Sequence, residues 1–81
     1  MEVKLNREAR KDFDTLAPSV KLAAKEEMRL LKKWPEVSGV KHLTSHWVGF
    51  VRVMGDWRMI FRPLPDHIVI VRIRHRSIAY L

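Results

Sequence analysis

Arginine side chains recur through the second half of the chain, mostly in alternation with apolar residues. Residues 41–81 carry seven basic side chains against two acidic ones, Asp56 and Asp66, whereas residues 1–40 carry nine basic and seven acidic side chains. The planar guanidinium group binds phosphate with two parallel hydrogen bonds and stacks on flat rings. The overall charge of +7 therefore predicts a polyanionic or acidic partner that meets the second half of the chain.

Two residues near the C-terminus add groups that can move protons. His75 supplies an imidazole, a side-chain type that exchanges protons near neutral pH, and the phenol of Tyr80 offers both a hydroxyl group and an aromatic ring. Composition and spacing alone indicate a basic protein that binds nucleic acid or an acidic partner, and they define no reaction. Each residue also has a structural interpretation, with His75 as a neutral residue at a strand end and Tyr80 as ordinary packing.

The sequence gives little support for metal or thiol chemistry. The absence of cysteine excludes disulfides, thiolate ligands and a cysteine nucleophile. His42 and His46 are four residues apart, but this spacing binds a metal only on a helix with a third ligand, and their segment is predicted to be a loop. We therefore expect no metal and no cofactor.

The length and composition of the chain predict one small domain over residues 1–81. Hydrophobic residues make up 47% of the 81 residues, enough to form a core. No apolar run approaches the ~20 residues that span a bilayer, and the N-terminus does not resemble a secretory leader. The sequence therefore predicts a cytoplasmic protein with no membrane partner.

The apolar periodicity predicts an α+β fold that begins with a short strand and two helices. Residues 2–5 alternate as in a strand, and Asn6 can cap a helix over residues 7–16. Pro18 is suited to the first turn of a second helix over residues 18–33. The short connection between the helices predicts an antiparallel hairpin.

Beyond residue 46 the apolar period changes from that of a helix to that of a strand. Gly55-Asp56 and the segment 63–66 are turn signals. Three strands, at about 47–54, 57–62 and 67–74, are predicted to form an antiparallel meander with both helices on one face.

Strict alternation sorts the side chains of these strands onto two faces. The face expected to pack on the helices is wholly apolar: Val51, Val53, Trp57, Met59, Phe61, Val69, Val71 and Ile73. On the opposite face every charged residue is arginine, with isoleucines between them. The residues of this opposite face are Arg52, Arg58, Ile60, Arg62, Ile68, Ile70, Arg72 and Arg74. Phe50 and Trp47 near its edge would add rings that stack on bases. This face suits RNA or an acidic partner, although an ordinary solvated surface is the plainer interpretation.

Two segments resemble motifs of the RelE/ParE superfamily of toxins. Gly55-Asp56-Trp57-Arg58 is similar to a Gly-Asp-Tyr-Arg hairpin in that family, and residues 74–80 are similar to its terminal His-Arg…Tyr motif. The predicted order of elements matches over essentially the whole chain, although the specific motifs lie in residues 47–80.

For the branch that cleaves messenger RNA, this resemblance implies functional roles for Arg52, Arg58, Arg76 and Tyr80. It implies a metal-independent, ribosome-dependent endoribonuclease in which a ribose 2′-hydroxyl group attacks the adjacent phosphate. Arg52 and Arg58 would stabilise the developing charge, and Arg76 would stand at the leaving group. Tyr80 would orient or deprotonate the nucleophile or stack on a base, and His75 is a further candidate for proton transfer.

The resemblance also implies two partners, messenger RNA on the ribosome and a cognate antitoxin that forms a hetero-oligomer with the toxin. An acidic amphipathic segment of the antitoxin would neutralise arginines such as Arg62, Arg72 and Arg74. Two other functions are compatible with the sequence: a ParE-like inhibitor of DNA gyrase, and a catalytically inactive module that binds nucleic acid or an acidic protein.

Overall fold

A computed structural model describes residues 1–43 and 49–80. In chain order the elements are strand β1 (Glu2–Leu5), helices α1 (Arg7–Asp14) and α2 (Pro18–Leu31), and strands β2 (Val40–Leu43), β3 (Gly49–Met54), β4 (Trp57–Pro63) and β5 (His67–His75). The α+β architecture predicted from the sequence is confirmed. Within the described ranges, no helix is long and apolar enough to span a membrane.

The two helices begin where the sequence signals place them. The side chain of Asn6 accepts a hydrogen bond from the backbone N–H of Ala9 at 2.9 Å and so caps α1, and Pro18 occupies the first turn of α2. Both helices end two residues before the predicted positions, at Asp14 and Leu31.

The five strands form one sheet in the order β1-β5-β4-β3-β2. Strands β3, β4 and β5 form the predicted antiparallel meander, and β1 pairs in parallel with β5. Strand β2, which the sequence analysis assigned to a connection, pairs with β3 through Val40↔Arg52 to Leu43↔Gly49. This loop assignment was therefore wrong for residues 40–43, while Trp47 and His46 lie outside the described residues.

The main core lies between the helices and one face of the sheet, and Phe61 lies within it. This residue is fully buried, its ring centroid lies 5.5 Å from that of Trp34, and it stacks on Phe50 at 5.8 Å. The prediction that Trp57, Met59, Phe61 and Ile73 pack on the helix side is confirmed.

For strand β3, the prediction of which side chains face the helices was wrong. Arg52 is paired with the buried Met59 and bonds to helix α2, whereas Val51 belongs to a second apolar cluster on the opposite face. The opposite phase puts Phe50 and Met54 in the main core. Both phases bury apolar residues, so alternation alone does not decide between them.

A β-bulge in β5 explains the second error in the predicted faces. Phe61 pairs with Ile70 while its neighbour Ile60 pairs with Arg72, so Val71 is an extra residue. Ile68, Ile70 and Ile73 therefore all face the main core. Ile70 and Ile73 are three residues apart, a spacing that would put them on opposite faces of a regular strand. Val69 and Val71, which were predicted to face the helices, belong to the second apolar cluster with Val51 and Ile60.

Truncation of Phe61 should strongly destabilise the fold. Phe61→Ala leaves a cavity between Trp34 and Phe50, and we expect a loss of about 3–5 kcal/mol in the free energy of unfolding, measured by urea denaturation. The matched control is Leu22→Ala, because Leu22 is 69% exposed and should change stability by less than about 0.5 kcal/mol. Equal losses for the two variants would contradict this core.

Candidate functional site

The candidate site lies where the β3–β4 hairpin meets the segment that follows β5. Gly55 has φ +60°, a conformation that favours glycine, and the hairpin it forms presents the carbonyl group of Asp56 to Arg76. The backbone N–H of Arg76 donates to that carbonyl at 2.7 Å, and the Arg76 guanidinium lies 3.5 Å from the Asp56 carboxylate. These contacts bring together the two motifs predicted from the sequence.

Strand pairing adds two more arginines at the same end of the sheet. Arg58 is the direct cross-strand partner of Arg74, and Val53 of β3 pairs with Arg58 from the other side. One guanidinium nitrogen of Arg58 donates to the carbonyl groups of Gly55 at 2.7 Å and Trp57 at 3.0 Å. Directly opposed like charges are unfavourable in a sheet, so an anion that binds between them would relieve their repulsion.

His75 lies at the end of β5 with its ring against the ring of Trp57. The two rings meet edge to face with centroids 5.5 Å apart. The backbone N–H of Ser77 donates to Nδ1 at 3.3 Å, and the Ser77 hydroxyl group lies 3.0 Å from the same atom. Because a backbone N–H can only donate, Nδ1 is the acceptor, and the neutral ring carries its proton on Nε2. Nε2 is then left as the hydrogen-bond donor of the ring.

Tyr80 is presented by a short turn after β5. The backbone N–H of Ile78 donates to the carbonyl group of His75 at 3.0 Å, and Ala79 is fully buried. Tyr80 itself is 41% exposed. The buried Ala79 anchors the turn and leaves the phenol accessible to a ligand.

Arg52 does not join this group. Its guanidinium forms an ion pair with Glu27 of α2 and donates to the backbone carbonyl of Ser38. Both members of the pair are largely buried, with side-chain exposures of 15% and 19%. The prediction that Arg52 lies on the exposed arginine face is therefore wrong, and its observed contacts are those of a structural residue.

Arg72 is also held within the fold. Its Nε and a terminal nitrogen donate to the two carboxylate oxygens of Asp12 at 2.8 and 3.0 Å. The hydrogen bond to Asp12 raises the pKa of Arg72 further above its usual value, so the guanidinium stays charged. The prediction that Arg72 lies among the exposed arginines was therefore wrong. Alternation along β5 does not reveal its partner, because Asp12 belongs to α1.

The face of the sheet away from the helices carries fewer exposed arginines and more apolar residues than predicted. Val51 and Ile60 are fully buried there, with Val71, Leu43 and Val69 around them. Arg62 pairs with Val69 and is exposed at this face. Phe50, predicted as a stacking ring at its edge, instead packs against Trp34 and Phe61 in the main core.

Of the two histidines with metal-ligand spacing, His42 alone lies in the described part of the chain. His42 is exposed on β2 with its ring 4.9 Å from that of Phe50, and His46 lies outside that part. Across residues 1–43 and 49–80, no three histidine, cysteine or acidic residues are grouped as metal ligands.

Several solved toxins are similar in fold to this chain. The toxin–antitoxin complex RelBE2 from Mycobacterium tuberculosis is similar over 93% of this chain and 96% of that chain, with 28% identity and a TM-score of 0.79. YafQ from E. coli matches over 99% of this chain and 98% of that one, with 19% identity and a TM-score of 0.78. The archaeal RelE–RelB complex from Pyrococcus horikoshii matches over 96% and 97%, with 21% identity and a TM-score of 0.74.

The family follows from the sequence as well as from the fold. A family model described as the ParE toxin of the type II toxin–antitoxin system parDE matches residues 3–80. The chain therefore belongs to this toxin family, in the RelE/ParE superfamily, as its two motifs predicted. No curated protein sequence matches it.

Removal of the Asp12 carboxylate should destabilise the end of β5 that carries the site. Asp12→Ala deprives both Arg72 and the backbone N–H of Ile73 of their acceptor, so we expect a loss of about 1.5–3 kcal/mol in unfolding free energy. Hydrogen exchange at Ile73 should accelerate in the same variant. Asp14→Ala, at an exposed position of the same helix, is the control. Equal effects of the two substitutions would show that helix charge, rather than this contact, stabilises β5.

Proposed function

We propose that this toxin cleaves messenger RNA bound to the ribosome and is silenced by a cognate antitoxin. The observation that carries the proposal is the contact of Arg76 with Asp56, which brings Arg76 to the hairpin that holds Arg58. Membership of the toxin family supplies the biological class, and the grouped residues supply the chemistry.

The proposed reaction is a metal-independent transesterification of one phosphodiester bond of the RNA. The ribose 2′-oxygen forms a bond to the adjacent phosphorus, the bond from phosphorus to the 5′-oxygen breaks, and a cyclic phosphate and a free 5′-hydroxyl group result. One proton leaves the 2′-hydroxyl group and one is delivered to the departing 5′-oxygen. The charge that develops on the phosphoryl oxygens needs cations held in place before the reaction.

The residues at the sheet end are assigned to these steps. Arg58 and Arg74 stabilise the phosphoryl oxygens from neighbouring strands, and Arg76 stands at the leaving oxygen. Tyr80 orients or deprotonates the 2′-hydroxyl group or stacks on a base, and His75 contributes its Nε2 proton as a hydrogen bond. The resemblance assigned charge stabilisation to Arg52 as well, but the ion pair with Glu27 turns Arg52 away, and Arg74 takes that role in our proposal.

The proposed antitoxin contact lies on the sheet face opposite the helices. Arg62 is exposed on that face, and Val53 of β3 is 39% exposed there beside the buried cluster of Val51, Ile60 and Val71. An acidic amphipathic segment would place an apolar side chain on Val53 and pair with Arg62 and Arg58. The M. tuberculosis and P. horikoshii structures are toxin–antitoxin complexes, which supports a partner of this type in a hetero-oligomer. We place the toxin in the cytoplasm, where ribosomes and messages are found.

Inhibition of DNA gyrase is the second candidate function. On the face of β3 away from the helices the exposed side chain is that of Val53, at a position where RNA binding would favour a cation, and the matching family model is described as ParE. A toxin that inhibits gyrase by binding it, without catalysis, would use the face of β3 for a protein contact and would not need the Tyr80 hydroxyl group. Tyr80→Phe therefore distinguishes the two functions.

Conservative substitutions should separate charge from chemistry at the site. Arg58→Lys and Arg76→Lys keep the charge but lose the planar fork, so cleavage of a ribosome-bound message should fall by roughly 10²–10³-fold, the usual cost of one transition-state donor. Tyr80→Phe should also impair cleavage while it preserves stacking. The control is Arg29→Lys, because exposed Arg29 on α2 is paired with Glu26.

The same preparations are assayed for inhibition of gyrase supercoiling. Wild-type protein that leaves the message intact and blocks gyrase would establish the ParE-like function and contradict our proposal. Wild-type protein that does neither would favour an inactive binding module.

Antitoxin binding should weaken as salt rises. The probe is the protein encoded by the reading frame beside the toxin gene, and its affinity is measured between about 50 and 500 mM salt, a range over which exposed charge pairs become strongly screened. Arg62→Ala should weaken binding and flatten the salt dependence, whereas Arg7→Ala on the exposed side of α1 should do neither. An affinity that does not change with salt or with Arg62→Ala would contradict the electrostatic contact.

A further inference from the structure

A cavity of about 220 Å³ adjoins the proposed reaction site, since Arg74 and His75 form part of its lining. It opens between the end of α1 and the end of β5, and its lining includes Asp12, Thr15, Trp57, His75 and Ile78. Since a water molecule occupies about 30 Å³ in the liquid, the cavity holds several waters or one planar heterocycle. It is too small for a whole nucleotide.

We propose that this cavity is a nucleobase subsite that takes a base bearing an exocyclic amino group. The inference rests on the proposed function, because the base would belong to the RNA whose phosphate meets the arginine cluster. Arg74 lines the cavity and pairs across the strands with Arg58, so the cavity and the phosphate-binding residues adjoin. A nucleotide could therefore place its phosphate at the cluster and its base in the cavity.

The walls of the cavity suit a flat ring. Trp57 and His75 provide aromatic surface in an edge-to-face arrangement that fixes both rings. Ile78, which is 43% exposed, adds an apolar side chain that a base would cover. Stacking on an aromatic side chain binds bases of any identity, so these walls account for affinity and leave specificity to the polar groups.

The polar groups of the lining favour an amino group on the base. Oδ2 of Asp12 accepts two hydrogen bonds, from Arg72 and from the backbone of Ile73, whereas Oδ1 accepts one from Arg72. A carboxylate oxygen accepts about two bonds, so Oδ1 retains acceptor capacity. The Thr15 hydroxyl group donates to the backbone carbonyl of Asp12 and keeps its lone pairs. An exocyclic amino group, as on adenine, cytosine and guanine, offers two N–H donors to these two acceptors, whereas uracil offers a single N–H at its ring N3.

The test uses probes that cannot be cleaved and needs no ribosome. They are fluorescently labelled 2′-O-methyl trinucleotides whose outer units are abasic and whose central unit carries adenine, uracil or no base. Fluorescence anisotropy should show that the adenine probe binds at least about fivefold more tightly than the abasic probe, as expected when one base stacks. The uracil probe should bind less tightly than the adenine probe. Equal binding of the adenine and abasic probes would overturn the subsite, and uracil binding as tight as adenine would overturn the amino-group preference.

Two variants locate the base. Trp57→Leu removes the aromatic wall, and Thr15→Gln extends a longer side chain from an exposed position at the cavity mouth without altering the core. Each should lower the affinity for the adenine probe to that for the abasic probe and leave abasic binding unchanged. Ser19→Gln, an exposed substitution at the start of α2, is the matched control. Should Trp57→Leu fail to fold, Thr15→Gln decides alone, and a base preference that survives in it places the base elsewhere.

The outcomes separate this inference from the proposed reaction. A wild-type toxin that cleaves messages but binds all probes equally overturns the subsite and leaves the reaction standing. Base-dependent binding that is lost in Thr15→Gln, in a protein that cleaves no message, supports the subsite and rejects the reaction.

Discussion

The arginine-bearing end of this toxin depends on how helix α1 closes the exposed edge of strand β5. Strand β1 pairs with β5 as far as Leu5↔Ile70, and the backbone N–H of Asn6 extends the pairing with a bond to the carbonyl group of Ile70 at 3.0 Å. Beyond that point β5 runs on to His75. There the Asp12 carboxylate accepts the backbone N–H of Ile73 at 2.9 Å. A partly buried donor without an acceptor costs about 1–3 kcal/mol, so one acidic side chain completes the edge that supports His75 and Arg76.

Two of the seven acidic residues in the first half of the chain form ion pairs with arginines of the second half. Asp12 pairs with Arg72 and Glu27 pairs with Arg52, so two helical carboxylates neutralise two sheet arginines that are distant in sequence. Pairing across the halves limits the repulsion that an uncompensated cationic sheet would create. At the hairpin end, by contrast, Arg58 donates to backbone carbonyl groups and Arg76 lies beside the exposed Asp56, so neither contact is with a buried carboxylate.

The order of elements could be predicted from the sequence because it follows from local signals. Asn6, Pro18 and the Gly55-Asp56 turn act over a few residues, and they placed both helices and the meander correctly. The faces of β3 and β5 required information that a local pattern lacks. The bulge at Val71 changes the alternation within one strand. Arg52 faces the helices because it pairs with Glu27, which is 25 residues away in sequence and so cannot be identified as its partner from a local pattern. The two motifs at the site were found from sequence, whereas their contact through Asp56 and Arg76 required the fold.

Arg76 and Asp56 are joined by a backbone hydrogen bond and by an exposed side-chain ion pair. The backbone hydrogen bond of 2.7 Å fixes the position of Arg76 relative to the hairpin, while the two side chains lie 3.5 Å apart and are each 65% exposed. An exposed ion pair contributes only about 0–1 kcal/mol, whereas a guanidinium that forms two hydrogen bonds with phosphate makes a stronger, directional contact. A phosphate can therefore displace the Asp56 carboxylate without moving the chain. An acidic antitoxin side chain can do the same, so a substrate and an inhibitor would compete for one guanidinium that the backbone already holds in place.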